Sequence, residues 1–187
     1  MYTTYTGQLV RIRPFRDETE LREFCTVQFS MLNAQFGDCR WRIDDAVERY
    51  RLNLASGLET CFAVEQVGKG KHVGWVNARP QRDQLAGSIG TEILSEQRSR
   101  GYGREAKLLA LCHMFENFPL HSVWAVTLGN HRRSARGLEA IGMQRCGCQR
   151  VAQYSQGGHT ARIYYRIMRE DWERLPIREI VRRGHRS

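Results

Sequence analysis

Lysine is nearly missing from this chain of 187 residues. It stands only at 69, 71 and 107, so arginine carries almost all of the positive charge, and the formal net charge still reaches +9. Such an excess suits nucleic acid, small acidic ligands, or a solvated basic surface. The arginines run from Arg11 to Arg186 without gathering into the stripe that a nucleic-acid footprint needs, which argues against that partner. Long apolar runs are also missing: the longest, such as LLALC, fall far short of the ~20 residues that cross a bilayer. The opening, MYTTYTGQLVRIRPF, lacks a basic start followed by an apolar stretch. No signal peptide is expected, and the chain reads as cytoplasmic, with no membrane partner.

Two phosphate-binding patterns are absent as well, the dinucleotide G-x-G-x-x-G and the loop ending in GK[ST]. Six cysteines stand at 25, 39, 61, 112, 146 and 148, and Cys146-Gly-Cys148 is the only close pair. It lacks the two-residue spacer and the second pair of a zinc site. A chain of this length needs no disulfides, so buried or half-buried free thiols are expected. His72, His113, His121 and His159 share no ligand spacing, and no metal site is expected. Internal repeats and low-complexity linkers are also lacking.

What is present is a globular composition, 41% hydrophobic, and a length that favours one domain over 1–187. Its core is expected over about 8–172, with a basic tail over about 173–187 whose end, RRGHRS, frays. QLVRIRPF alternates and reads as a strand. Asp17 and Glu20 form a capping box for a helix reaching about Leu32, and a glycine at 37 breaks it. A second helix runs from about Asp44 to Ala55 and stops at Gly57. Strands follow at 60–67, 72–79 and 88–95, the first two joined by GKGK. A helix apolar all round covers 103–118 and ends at Pro119. A strand at 121–128 and a short helix from Arg133 to Ile141, closed by Gly142, lead to two last strands and a helix beginning at Asp171-Trp172. The order β α α β β β α β α β β indicates an α/β (α+β) domain with a mixed, mostly antiparallel sheet of about seven strands.

Between the third strand of the central run and the buried helix stands RSRGYGREA, residues 98–106. At a helix start the first amide N–H groups lack partners and the dipole is positive. Gly101 and Gly103 allow close approach or unusual φ, so the backbone amides can wrap a diphosphate with Arg98, Arg100 and Arg104 nearby. Glu105 favours the helix start electrostatically.

These residues resemble the acetyl-CoA loop, R/Q-x-x-G-x-G/A, of the GNAT superfamily of N-acetyltransferases. Gly101-Tyr-Gly-Arg-Glu105-Ala106 is similar to the G-x-G-Y-x-x-E-A of its ribosomal-protein N-terminal acetyltransferase-like branch, with Tyr102 one place early. Ile89-Gly-Thr-Glu92-Ile93, Leu138-Glu-Ala-Ile-Gly142-Met143 and Met168-Arg-Glu-Asp171-Trp172 resemble its preceding strand, its short-helix end and its closing R-x-D-W. The resemblance implies a twisted sheet splayed between the fourth and fifth strands. It implies acetyl-CoA as co-substrate, with pantetheine on the backbone of Ile93, Leu94 and Ser95. The pyrophosphate would meet the amides of Arg98, Ser99, Arg100, Gly101, Tyr102, Gly103 and Arg104.

Acetyl transfer to an amine needs a base, a polarised carbonyl and a protonated leaving thiolate. Glu92 is the candidate base, directly or through water, and the competing reading is a solvated or salt-bridged carboxylate. The tyrosine that relatives often place in the short helix is here Leu138, which cannot act as an acid. Ser134 falls where the branch has a serine near the cofactor sulfur. The usual asparagine position is taken by His131, unless a one-residue bulge returns Asn130 to it. Asp38, Asp44 and Asp45 could hold a cationic amine, and capping explains Asp44 as well. Tyr154, Tyr164 and Tyr165 read as sheet residues, one of which could line an acceptor pocket; Trp41, Trp75 and Trp124 read as core or cleft wall. The reading is an acetyl-CoA-dependent N-acetyltransferase acting on a peptide or protein N-terminus or a small amine, through a ternary complex, as a monomer or homodimer. The alternative is a non-catalytic acyl-CoA-binding regulatory domain of the same fold.

Overall fold

The computed structural model describes residues 3–36, 42–57, 59–81, 83–155 and 157–184. Among these residues nine strands form one sheet in the order β7-β8-β6-β5-β4-β3-β2-β1-β9. They are β1 Thr4–Thr6, β2 Val10–Pro14, β3 Thr60–Gln66, β4 His72–Gln81, β5 Ala86–Ile93, β6 Ser122–Leu128, β7 Gln144–Ser155, β8 Gly158–Met168 and β9 Arg182–Gly184. The helices are α1 Glu18–Phe36, α2 Ile43–Ser56, α3 Tyr102–Asn117, α4 Arg132–Glu139, α5 Arg169–Glu173 and α6 Ile177–Ile180. No helix among the described residues is long and apolar enough to cross a membrane.

The sheet is therefore mixed and mostly antiparallel, as expected, but has nine strands rather than about seven. The additions, β1 and β9, pair with each other at the far edge. Three-residue strands carry no readable alternation, and long-range contacts hold them. Tyr5 is fully buried, and its hydroxyl accepts from Asn117 Nδ2 at 2.7 Å. Arg183 donates to both carboxylate oxygens of Glu116, at 2.8 and 2.6 Å. Residues 182–184, expected to fray, are thus built into the fold; 185–187 lie outside the described residues.

Among the described residues only β5 and β6 pair in parallel, and only over Ala86–Ser88 with Ser122–Trp124. Beyond these three pairs the strands run on without partnering each other, so the sheet opens like a wedge. This is the expected splay between strands four and five, renumbered because β1 precedes them. Two apolar layers flank it. Helix α3 packs Leu109, Leu111 and Met114 against Ile12, Phe62 and Val123 on one face. Burying each such side chain is worth ~1.5–3 kcal/mol. On the other face, Leu21 and Phe24 of α1 and Val47 of α2 pack on Cys61 and Trp75.

Local chemistry departs from the sequence reading in three places. Asp17 Oδ1 accepts the Glu20 N–H at 3.0 Å, but the Glu20 carboxylate turns to the Arg16 N–H and to Arg13, so the capping box is half closed. Helix α1 runs on to Phe36; Gly37, the expected breaker, and Cys39 and Trp41 lie outside the described residues. Cys25, Cys61 and Cys112 are buried as expected, whereas Cys146 and Cys148 are exposed, because β7 is an edge strand.

Candidate functional site

The first turn of α3 stands beside the open wedge. Gly101 caps it with φ +84°, preceded by Ser99 at φ +62°. A side chain at Gly101 would be strained, and its Cβ would lie 3.0 Å from Leu9 Cδ1. The first backbone bonds into Gly101 O come from Arg104 and Glu105, so the N–H groups of 101–103, residues that line the cavity, make no intrahelical bond. Together with the helix dipole they present about half a positive charge.

The cavity there holds about 290 Å³. Its wall includes ten of the residues singled out from the sequence: Glu92, Ile93, Arg98, Ser99, Gly101, Tyr102, Gly103, Arg104, His131 and Ser134. Four others stand outside the wall. Leu94 donates its N–H to Val73 O at 3.0 Å and packs toward the α1–α2 layer. Ser95 begins a short 3-10 turn, its hydroxyl on Glu96. Arg100 and Asn130 are exposed at the surface. No bulge carries Asn130 inward: His131 occupies the N-cap position of α4 and borders the cavity. Burial and then the charge of Arg133 hold its imidazole below the usual histidine range.

Glu92 sits opposite Trp75 in the β4–β5 register, which places its side chain on the α1–α2 face, while Thr91 and Ile93 face α3. Its carboxylate accepts from Arg98 at 2.7 Å. The same guanidinium donates through Nε to Ile93 O at 2.9 Å. Glu92 is thus salt-bridged, and Arg98 engages one of the carbonyls assigned to pantetheine pairing. Among the described residues Glu92 is also the single carboxylate in the cavity wall, set against Arg98, Arg104, Lys107 and Arg133. Thr91 Oγ1 is buried with no hydrogen-bond partner among the described residues. A cationic wall, free helix amides and an unsatisfied hydroxyl suit a long, phosphate-bearing ligand with polar groups along its arm.

Several wall residues escaped the sequence reading: Thr91, Gln97, Lys107, Arg133 and Gly137. For Lys107 a signal existed. It is one of three lysines, and it interrupts the apolar surface of a buried helix one turn after Gly103. Glu105 stands in the first turn of α3, where its charge favours the helix start as expected, and its carboxylate has partners besides. Buried, it accepts the N–H groups of Gln8, Leu9 and Val10 at 3.0, 2.7 and 2.7 Å. A Cβ on Gly7 would fall 2.5 Å from this carboxyl carbon, which fixes glycine there.

Of the acidic residues considered for an amine, Asp44 is held by Arg22 at 2.7 Å and Asp38 lies outside the described residues. The N-cap of α2 is Arg42, so Asp44 does not cap it. Trp75 is core, and Tyr165 is buried with its hydroxyl on Glu139. Tyr154 is exposed near the hairpin tip. Trp124, Tyr164 and Arg166 line a second groove of about 400 Å³. The register Ser88↔Trp124↔Arg166 puts this groove on the Glu92 face of the sheet.

The sequence matches the family described as Acetyltransferase (GNAT) domain over residues 10–144. Among solved structures, the chain is similar to the spermidine N-acetyltransferase of Vibrio cholerae in complex with CoA and spermine. The TM-score is 0.75 at 15% identity, covering 88% of this chain and 98% of that one. A GNAT-family acetyltransferase from Bacillus anthracis gives 0.71 at 20% identity, covering 90% and 99%. A proposed ribosomal-protein-serine acetyltransferase from Vibrio cholerae gives 0.67 at 20% identity, covering 88% and 97%. At such identities the likeness is one of fold. No curated protein sequence matches the chain.

Proposed function

Since the chain belongs to the GNAT acetyltransferase domain family, we propose that it moves an acetyl group from acetyl-CoA directly to a primary amine. The amine belongs to a peptide or protein N-terminus or to a small molecule. One observation carries this reading: the wedge between β5 and β6 joins a cationic cavity at the α3 N-terminus to a carboxylate, Glu92, on the opposite face of the sheet.

The amides of 101–103, with Arg98 and Arg104, would hold the diphosphate. Acetyl-CoA supplies the activated thioester. Glu92 takes the proton that the amine sheds as its nitrogen bonds to the acetyl carbon, and its hydrogen bond from Arg98 keeps the carboxylate aimed. The amine approaches from the α1–α2 face, where the groove of Trp124, Tyr164 and Arg166 opens. With the two substrates on opposite faces, no covalent enzyme intermediate is required.

A second reading rests on Leu138, which is 2% exposed in the core where relatives carry an acid. It makes the domain an acyl-CoA sensor without turnover. Thermal shift with acetyl-CoA and CoA, followed by thiol release over a panel of peptides and small amines, separates the two. A raised midpoint with thiol release supports transfer; a raised midpoint without release by any amine supports the sensor. No shift with either ligand overturns both.

A further inference from the structure

Lys107 stands in the cavity wall between two helices. Its Nζ lies 3.8 Å from where a Cβ on Gly103 of α3 would be, and 3.8 Å from where one on Gly137 of α4 would be. Glycine at 137 therefore leaves the space above the ammonium open to the cavity that both residues line. Among the described residues, one acceptor meets it, Gly103 O at 3.2 Å. An ammonium has three N–H donors, so two remain to point into the cavity. The other cation close to Glu92 is already engaged, since Arg98 is divided between Glu92 and Ile93 O.

The base limits where the chemistry occurs. It must reach the attacking nitrogen by a hydrogen bond. The nitrogen must lie ~3–3.5 Å from the acetyl carbon. The sulfur is bonded to that carbon, so it too falls near Glu92. Lys107 lines the same cavity and lies within electrostatic reach of Glu92. We propose that Lys107 is the general acid of the transfer, giving its proton to the coenzyme sulfur. The inference rests on the acetyl-transfer reading above and fills the place left by Leu138.

The step balances as follows. The neutral amine bonds to the acetyl carbon, and Glu92 accepts a proton from that nitrogen. The carbon–sulfur pair leaves on sulfur, and Lys107 protonates it, so the thiol departs with a neutral amine left on Lys107. Return of the proton from Glu92 to Lys107 resets both groups. Burial draws the Lys107 ammonium down to about 8; Glu92 on β5 pulls it up and Arg133 on α4 pushes it down. His131, Arg98 and Arg104 border the same cavity. The acid is thus protonated at neutral pH, and its work fails as pH rises through about 8.

The test uses the intact protein with Lys107→Met and Lys107→Arg. The first reading is the ultraviolet thiolate absorbance of bound CoA against pH, which needs no acceptor. A bound thiol that ionises ~1–3 pH units below free CoA, with the shift lost in Lys107→Met, supports the assignment. An unshifted thiol in the unsubstituted protein overturns it while leaving acetyl transfer to be judged by the amine panel. The second reading is affinity for CoA and for adenosine bisphosphate, which lacks the sulfur. If Lys107→Met weakens both alike and leaves the thiol unchanged, Lys107 is a phosphate contact and the proposal fails. The third is kcat with any active amine. Lys107→Met should lose ~10²–10⁴-fold with acetyl-CoA KM within about threefold and no alkaline limb near pH 8. Lys107→Arg should recover binding and the thiolate shift without recovering kcat. A limb near pH 8 that survives in Lys107→Met sinks the acid role.

Discussion

Two carboxylates of the same sheet show how differently one charge can be used. Glu65, on β3, is 1% exposed and receives hydrogen bonds from Arg11, Arg13 and Arg16. Burial alone would raise its pKa, but the hydrogen bonds from Arg13 and Arg11 outweigh that and hold it below the usual range. Glu92, two strands along on β5, is partly exposed and has a single arginine among the described residues. At Glu65 the cations close on the carboxylate and leave it nothing to do but hold strands and helix together. At Glu92 the surrounding cations face a cavity. The lesson is that saturation marks structure, and a surplus of one sign around an open volume marks a site.

Breaking the saturated cluster should have the largest effect. Glu65→Ala leaves the buried Arg13 with Glu20 as its remaining carboxylate and releases the more exposed Arg11 and Arg16, and should cost about 3 kcal/mol. The loss is measured by denaturant titration, with kcat at permissive temperature nearly unchanged. Glu92→Gln should reverse that pattern: ~10²-fold or more off kcat, with the acid limb of the pH–rate profile displaced and stability within ~0.5 kcal/mol. Equal losses of stability in the two variants would erase the contrast.

Gly101→Ala comes next. Forcing a side chain into the left-handed region costs ~1–2 kcal/mol. It should lower the melting midpoint by a few degrees and weaken acetyl-CoA binding about tenfold, read by calorimetry, because the strain falls on the cradle itself. The smallest effect concerns acid. The hydrogen bond from Arg13 holds Glu20 down to about 2, against an ordinary value of 4.5. A depressed carboxylate contributes its stability above its unfolded pKa and loses it as pH falls through the folded one. The melting midpoint should therefore drop between pH 4.5 and 2, and drop less in Glu20→Gln. A drop of the same size in both would remove Glu20 from the account.

The α3 cradle and most of its wall were legible in the sequence because they depend on main-chain features that glycines and a helix start announce, whereas the wedge was expected only from the resemblance of the motifs to a known family. Ten of the marked residues do meet at one cavity, and the motif around Gly101 led there. What was not legible depends on side chains meeting across the fold. Lys107 and Gly137 are thirty positions apart and acquire meaning together only when α3 and α4 are juxtaposed. Glu105 was read from its first-turn position alone because its other partners, the amides of Gln8 to Val10, are some ninety-five residues away. Strands β1 and β9 were invisible for the same reason, being too short to show a period and held by Asn117 and Glu116 of α3.

The grip of Glu105 on the β1–β2 turn has a further consequence. Leu9 is fastened by its N–H to Glu105 and touches the position above Gly101. A ligand that steadies the first turn of α3 should also slow the opening of that turn, since the carboxylate that holds these three amides is carried on that same helix start. The backbone protons of Gln8, Leu9 and Val10 thereby become a remote gauge of occupancy. Their exchange with solvent deuterium would report a filled cavity from the outer edge of the sheet, with no label and no turnover.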